Sequence, residues 1–186
     1  MGPDPEVPEQ PGEVVVDMKR MGTAMVGLVL LILTAVLGST ALGSFSASAA
    51  PVSREQAVNY VIARGLAQRG VPYAWGGGDI NGPTMGKPDG DTPAVLGFDA
   101  SGLIQYVYAG VGAKLPRSSG AMYNVGQKVA PEQALPADLI FYGPDGSQSV
   151  TMFLGNNQML EVGDQGVVVS PVRTTDMAPY LIRIIA

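Results

Sequence analysis

Seven residues near the middle of the chain, Gly97-Phe98-Asp99-Ala100-Ser101-Gly102-Leu103, restrict its fold more than any other stretch. They describe a loop that turns directly into a helix. Asp99 has the short carboxylate that caps free N–H groups at a helix start, and Leu103, Ile104, Val107, Tyr108 and Val111 repeat at helical spacing behind it. Side chains at Ala100 and Ser101 therefore fall in the first turn, where unpaired N–H groups and the helix dipole favour negative charge. Such a position suits a cysteine whose thiolate must be stabilised. The chain has no cysteine there or anywhere, and no histidine. Disulfides, Cys/His zinc sites and histidine pH switching are thereby excluded, as is any hydrolase that needs a thiolate and an imidazole base.

A first helix is expected from Ser53, with Gln56 completing a capping box and Ala57, Val58, Val61, Ile62 and Leu66 forming an apolar stripe that ends at Gly70. Tyr73 to Gly97 reads as a long Gly/Pro/Asp loop. Its Lys87-Pro88-Asp89-Gly90-Asp91 stretch reads as a turn rather than a calcium site. After the central helix comes a polar turn at Arg117-Ser118-Ser119. Beyond Asp138 the pattern changes to short strands at Leu139–Tyr142, Val150–Leu154, Gln158–Val162, Val167–Ser170 and Tyr180–Ile184, separated by Gly-Pro-Asp-Gly, Gly-Asn-Asn and Gly-Asp-Gln-Gly turns. Helices first and antiparallel strands second make an α+β domain.

The chain before this domain has a different character. Residues 1–17 are Pro-rich, with five acidic residues and no Lys or Arg, and are expected to be disordered unless the natural start is Met18. Residues 18–49 read as an export signal: Lys19 and Arg20, an apolar run from Ala24 to Leu37, then Ala47-Ser48-Ala49 as a small-residue cleavage site. An uncleaved anchor is the alternative, because Met21 to Ala49 carries no charge and is long enough to span a membrane. Both place residues 50–186 outside the cytoplasmic membrane, secreted to the cell wall or periplasmic space or anchored to the outer face of the cytoplasmic membrane. Membrane contact is expected only through that segment. The two basic and five acidic residues of the leader leave nine Lys+Arg against eleven Asp+Glu in the domain. That balance offers no basic face for nucleic acid.

Four segments of the domain together resemble the NlpC/P60 family of cell-wall peptidases. Phe98-Asp99-Ala100-Ser101-Gly102-Leu103 is similar to the family's Asp-Cys-Ser-Gly-Leu motif, with alanine at the nucleophile's position. Val71-Pro72-Tyr73-Ala74-Trp75-Gly76-Gly77 resembles its Pro-Tyr-x-Trp-Gly-Gly segment, and Leu115-Pro116-Arg117-Ser118-Ser119 its Leu-Pro-Arg-x-Ser segment. Ala137-Asp138-Leu139-Ile140-Phe141-Tyr142 is similar to its Gly-Asp-Leu-x-Phe strand. The family's histidine base falls on Ser149 of Ser149-Val150-Thr151-Met152-Phe153-Leu154-Gly155, and the third catalytic position falls on Glu161. The similarity is collinear from about Ser53 to Ile185. It implies a papain-like NlpC/P60 fold, with N-terminal helices packed on a five- or six-stranded antiparallel sheet.

In the family's enzymes the cysteine attacks the amide between D-iGlu and a diamino acid of the peptidoglycan stem, and the histidine takes its proton. The resemblance therefore implies a pseudoenzyme with degenerate positions Ala100, Ser149 and Glu161 and no cofactor or metal. Its polar cleft for stem peptides would be lined by Tyr73, Trp75, Asp99, Ser101, Arg117, Ser118, Ser149 and Glu161. Arg117 would suit a substrate carboxylate, though it could equally cap a carbonyl or pair with a carboxylate of the chain. Tyr73 and Trp75 could be packing residues, Glu161 a solvated strand residue, and Asp99 is first an N-cap. Such a domain would target or regulate cell-wall hydrolysis, with other wall hydrolases as further partners. The alternatives are an envelope protein with a vestigial groove that binds a protein partner, and a residual hydrolase using Ser101.

Overall fold

In the computed structural model, the described residues are 52–186 apart from 89, 91 and 92. The acidic leader, the signal or anchor segment, and Asp89 and Asp91 lie outside them. The first helix, α1 (Arg54–Leu66), starts where the capping box places it. The Ser53 hydroxyl accepts from the Gln56 N–H at 3.2 Å, and the Gln56 side chain accepts from the Ser53 N–H at 2.9 Å. It stops at Leu66, short of Gly70, whose N–H instead donates to Val167 O at 2.9 Å. Gly70 has φ +85°, so it turns the chain onto the sheet rather than closing the helix.

The segment expected to be one long loop carries a two-stranded ribbon, β1 (Thr84–Met85) paired with β2 (Leu96–Gly97). The central helix α2 (Ala100–Ala109) follows at once, and a single-turn helix α3 (Ser119–Met122) replaces part of the expected polar turn. The main sheet consists of β3 (Gln127–Val129), β4 (Leu139–Tyr142), β5 (Ser149–Gly155), β6 (Gln158–Gly163), β7 (Gly166–Pro171) and β8 (Leu181–Arg183). Its six strands run antiparallel in the order β3-β8-β4-β5-β6-β7. The fold is therefore α+β, with the sixth strand supplied by the short polar β3.

Helices α1 and α2 pack against one sheet face, where Val61, Phe98, Leu103, Ile104, Val107, Met152 and Leu160 form the main core. Contact is close at Gly65, where an added Cβ would lie 2.6 Å from Leu160. Strand β4 is buried at all four positions, sending Leu139 and Phe141 into this core and Ile140 and Tyr142 into a smaller cluster on the other face.

Asp138, fully buried just before β4, fastens the sheet to the loop beneath it. Its two oxygens accept from Arg183 Nε at 2.8 Å and Arg183 Nη2 at 2.7 Å, and one also accepts from the Leu135 N–H at 2.7 Å. Beside it the Tyr108 hydroxyl of α2 donates to Ala137 O. Ala137 itself sits at φ +71°, a left-handed conformation that suits the glycine of the Gly-Asp-Leu-x-Phe segment it resembles.

Asp138→Asn should leave Arg183 facing a neutral amide and cost about 3–5 kcal/mol, read as a lower denaturant midpoint. Tyr108→Phe should cost about 1 kcal/mol, the net value of one buried hydrogen bond. Burial, reinforced by the Asp138 charge, pushes the Tyr108 phenol well above its ordinary value. A raised folded pKa stabilises fully below the unfolded value and is lost as pH rises past it. The wild type should therefore lose stability above about pH 10, and Tyr108→Phe should lose less over that range.

Candidate functional site

Three segments far apart in sequence meet at the start of α2. Asp99 occupies the N-cap in an extended conformation, and its Oδ1 accepts from the Gly102 N–H at 2.7 Å. Arg117 grips the same carboxylate with both terminal nitrogens, at 2.8 Å to Oδ1 and 2.7 Å to Oδ2. Its Nη1 also donates to Ser101 Oγ at 2.7 Å and its Nη2 to Gly77 O at 3.0 Å. The Ser101 hydroxyl donates in turn to Asp99 Oδ1 at 3.1 Å.

Backbone bonds complete the junction. The Asp99 N–H donates to Gly77 O at 2.9 Å, the Ala74 N–H to Phe98 O at 2.9 Å and the Phe98 N–H to Pro72 O at 3.1 Å. The approach is so close that a Cβ at Gly102 would stand 2.2 Å from Gly77 O, so only glycine fits.

This junction forms one wall of an open cleft of about 430 Å³. Of the residues singled out from the sequence, Tyr73, Trp75, Asp99, Ala100, Ser101, Arg117, Ser118 and Ser149 all line it. Trp75 is 55% exposed and forms a ridge rather than a core contact. Ser118 caps α3 by accepting from the Ala121 N–H at 3.3 Å, and the adjacent Ser119 donates to Ser147 O at 3.0 Å. Ser147 and Gln148, just before β5, join the lining, as do Gly76, Lys87 and Val162. None of these was singled out as a site residue from the sequence, because only the folded topology brings them to the α2 N-terminus.

One expectation changes. Glu161 is not among the residues lining the cleft. Continuing the Met152↔Leu160 register sets it on the same sheet face as Ser149, but neighbouring residues hold its carboxylate. Ser170 Oγ donates to one oxygen at 2.6 Å, and Arg173 pairs with the other while stacking 4.1 Å from the Tyr142 ring centre. Arg117 lines the cleft, and its two terminal nitrogens make four hydrogen bonds within the chain, the internal pairing that the sequence left open. Its role here is to position the α2 N-terminus.

The chemistry of the wall follows from these side chains. A methyl group at Ala100 cannot attack a carbonyl, and the Ser149 hydroxyl titrates far too high to act as a base near neutrality. The nearest acceptor for the Ser101 proton is Asp99, whose carboxylate is engaged by both the guanidinium and the helix cap. Among the described residues no cluster of acidic side chains could hold a metal ion.

An α+β domain with a cleft at the N-terminus of its central helix is the architecture of the papain-like cell-wall peptidases. The NlpC/P60 family model matches residues 70–186, and the chain belongs to this family. It is 54% identical over 132 residues to the peptidoglycan endopeptidase RipA of Mycobacterium tuberculosis, covering 70% of this chain and 28% of RipA. It is 50% identical over 157 residues to the peptidoglycan endopeptidase RipB of the same species, covering 80% of this chain and 64% of RipB. The chain thus spans about a quarter of RipA and just under two thirds of RipB. Among solved structures it resembles M. tuberculosis RipD, a non-catalytic NlpC/p60 domain protein adapted to peptidoglycan binding. That match has 64% identity and a TM-score of 0.66, covering 69% of this chain and 98% of that one. A P60 domain of an M. avium paratuberculosis antigen matches at 67% identity and a TM-score of 0.67, covering 70% of this chain and 95% of the other.

Arg117→Ala should destabilise the domain by about 1 kcal/mol, a value kept low because 42% of the arginine side chain is exposed. Arg117→Lys should recover little of that, since an ammonium cannot make the bidentate contact. A Tm equal to the wild type's in both variants would contradict the positioning role.

Proposed function

We propose that this chain is a non-catalytic peptidoglycan-binding domain that holds stem peptides in the cleft beside α2 without cleaving them. The observation that carries this reading is an intact cleft wall around two replaced positions. Tyr73, Trp75, Asp99, Ser101, Arg117 and Ser118 line the cleft together with a methyl at Ala100 and a hydroxyl at Ser149, the two positions that the motif resemblance equates with nucleophile and base. The similarity to RipD supports the same reading. Residues 18–49 would deliver the domain across the cytoplasmic membrane as a cleaved signal or an anchor, with residues 1–17 as an acidic segment ahead of it. Occupying stem peptides would let the domain target or regulate other wall hydrolases.

Co-sedimentation of the purified protein with insoluble peptidoglycan, with analysis of the supernatant for muropeptides, tests this directly. The protein should pellet with the wall and release nothing. Ser149→Trp, which fills the cleft, should weaken pelleting about tenfold or more, a loss of at least about 1.4 kcal/mol. Muropeptide release that disappears in Ser101→Ala would instead establish a residual hydrolase. Absence of both binding and release would favour a protein partner, recoverable by crosslinking.

A back-substitution probes how far the site has diverged. The Ala100→Cys, Ser149→His double variant should regain weak muropeptide hydrolysis, because the α2 N-terminus still favours a thiolate. The activity should stay low while Arg173 holds the Glu161 carboxylate. A folded variant with an ionised thiolate and no activity at all would show divergence beyond these two residues.

A further inference from the structure

Two concavities flank the exposed Trp75. One is the cleft described above. The other, of about 580 Å³, is bounded by Pro72, Pro93, Val95 and the β6–β7 turn at Asp164 and Gly166. Tyr73, Trp75 and Lys87 line both.

Lys87 stands out once the charges of the cleft are accounted for. Asp99 and Arg117 pair with one another, and each makes further hydrogen bonds within the junction. The remaining polar lining is neutral: Ser101, Ser118, Ser119, Ser147, Gln148 and Ser149. Among the described residues, Lys87 is thus the one charge lining the cleft that makes no ion pair with another described residue. The three ion pairs among the described residues are Asp99–Arg117, Glu161–Arg173 and Asp138–Arg183, so Lys87 takes no part in them. Its position is nonetheless defined. The Lys87 N–H donates to Trp75 O at 2.7 Å, and its stem lies over Gly76, with carbons 3.8–3.9 Å from where a Cβ would stand. Gly76 has φ +69°, so the surface under the lysine is backbone that a side chain would strain.

We infer that Lys87 is a specificity-determining residue whose ammonium receives a carboxylate of the bound peptide beside Trp75, so that the cleft distinguishes a free carboxylate from its carboxamide. The inference rests on the peptidoglycan-binding reading for the identity of the peptide. It does not depend on Arg117, whose terminal nitrogens are occupied. Asp164 on the second concavity repels an anion there, which assigns the carboxylate to the α2 side of Trp75. An ammonium is a compact charge with three donors on a flexible stem, suited to meeting a carboxylate at an open cleft edge.

The test is equilibrium binding of the purified protein to soluble stem peptides with free carboxylates and to the same peptides with those groups converted to carboxamides. The wild type should prefer the free form roughly threefold to tenfold at low salt, with the preference shrinking as ionic strength rises. Lys87→Gln should bind both forms equally, with a Tm equal to the wild type's showing that it is folded. Lys87→Arg should keep the preference. Undiminished discrimination in Lys87→Gln, with both peptides still bound, would overturn this inference alone. A wild type that binds neither peptide would overturn the peptidoglycan reading and this inference with it.

Discussion

One carboxylate organises the site. Asp99 ends the extended chain coming from Phe98, caps α2 through the Gly102 N–H, and receives the guanidinium of Arg117 from a segment 18 residues further on. The same guanidinium reaches Gly77 O, which also accepts the Asp99 N–H. Three stretches of chain are therefore registered against each other by two charged side chains and one carbonyl. Bidentate guanidinium–carboxylate geometry is directional as well as strong, so it fixes orientation and not merely proximity. Cleft shape at Tyr73, Trp75, Ser101 and Ser118 follows from that registration.

Registration and reactivity are separable here. The bonds that hold the cleft together run through Asp99, Ser101, Arg117 and backbone groups, and none of them needs a side chain beyond the methyl at Ala100. Ser149 stands at the first position of β5, where a smaller side chain leaves the ladder to β4 intact. Glu161 shows the complementary outcome. Its carboxylate is satisfied by Ser170 and Arg173, and Arg173 is itself stacked on Tyr142. A half-buried carboxylate needs partners whatever its function, and these residues supply them. The Asp138–Arg183 pair plays the same structural role on the sheet, far from any chemistry of the cleft.

Much of this was legible in the sequence because it is local. The Ser53 capping box, the Asp99 cap and the apolar spacing after it each involve neighbours within a few residues, and all appear as expected. The strands from Leu139 to Ile184 were marked by apolar runs between turn residues and shifted by only a residue or so at their ends. What escaped depends on distant partners or on weak pattern. Strand β3 is three residues of Gln, Lys and Val, placed in the sheet by β8 rather than by its own composition. The β1–β2 ribbon has two residues per strand, too few for alternation to register. Arg117 was recognised, but its partner Asp99 lies outside any sequence window. Lys87 looked like part of a turn until folding carried it to the rim beside Trp75.

On the proposed reading, the cleft beside α2 holds wall peptides without cleaving them. Amide chemical-shift mapping of the purified protein during titration with a soluble stem peptide tests it most directly, because one sample reports both location and turnover. The account predicts saturable shifts concentrated at Gly77, Ala100, Ser101, Ser118 and Ser149, with the peptide's own signals unchanged over days. Shifts clustered away from the α2 N-terminus, or peptide signals converting to those of its fragments, would contradict it.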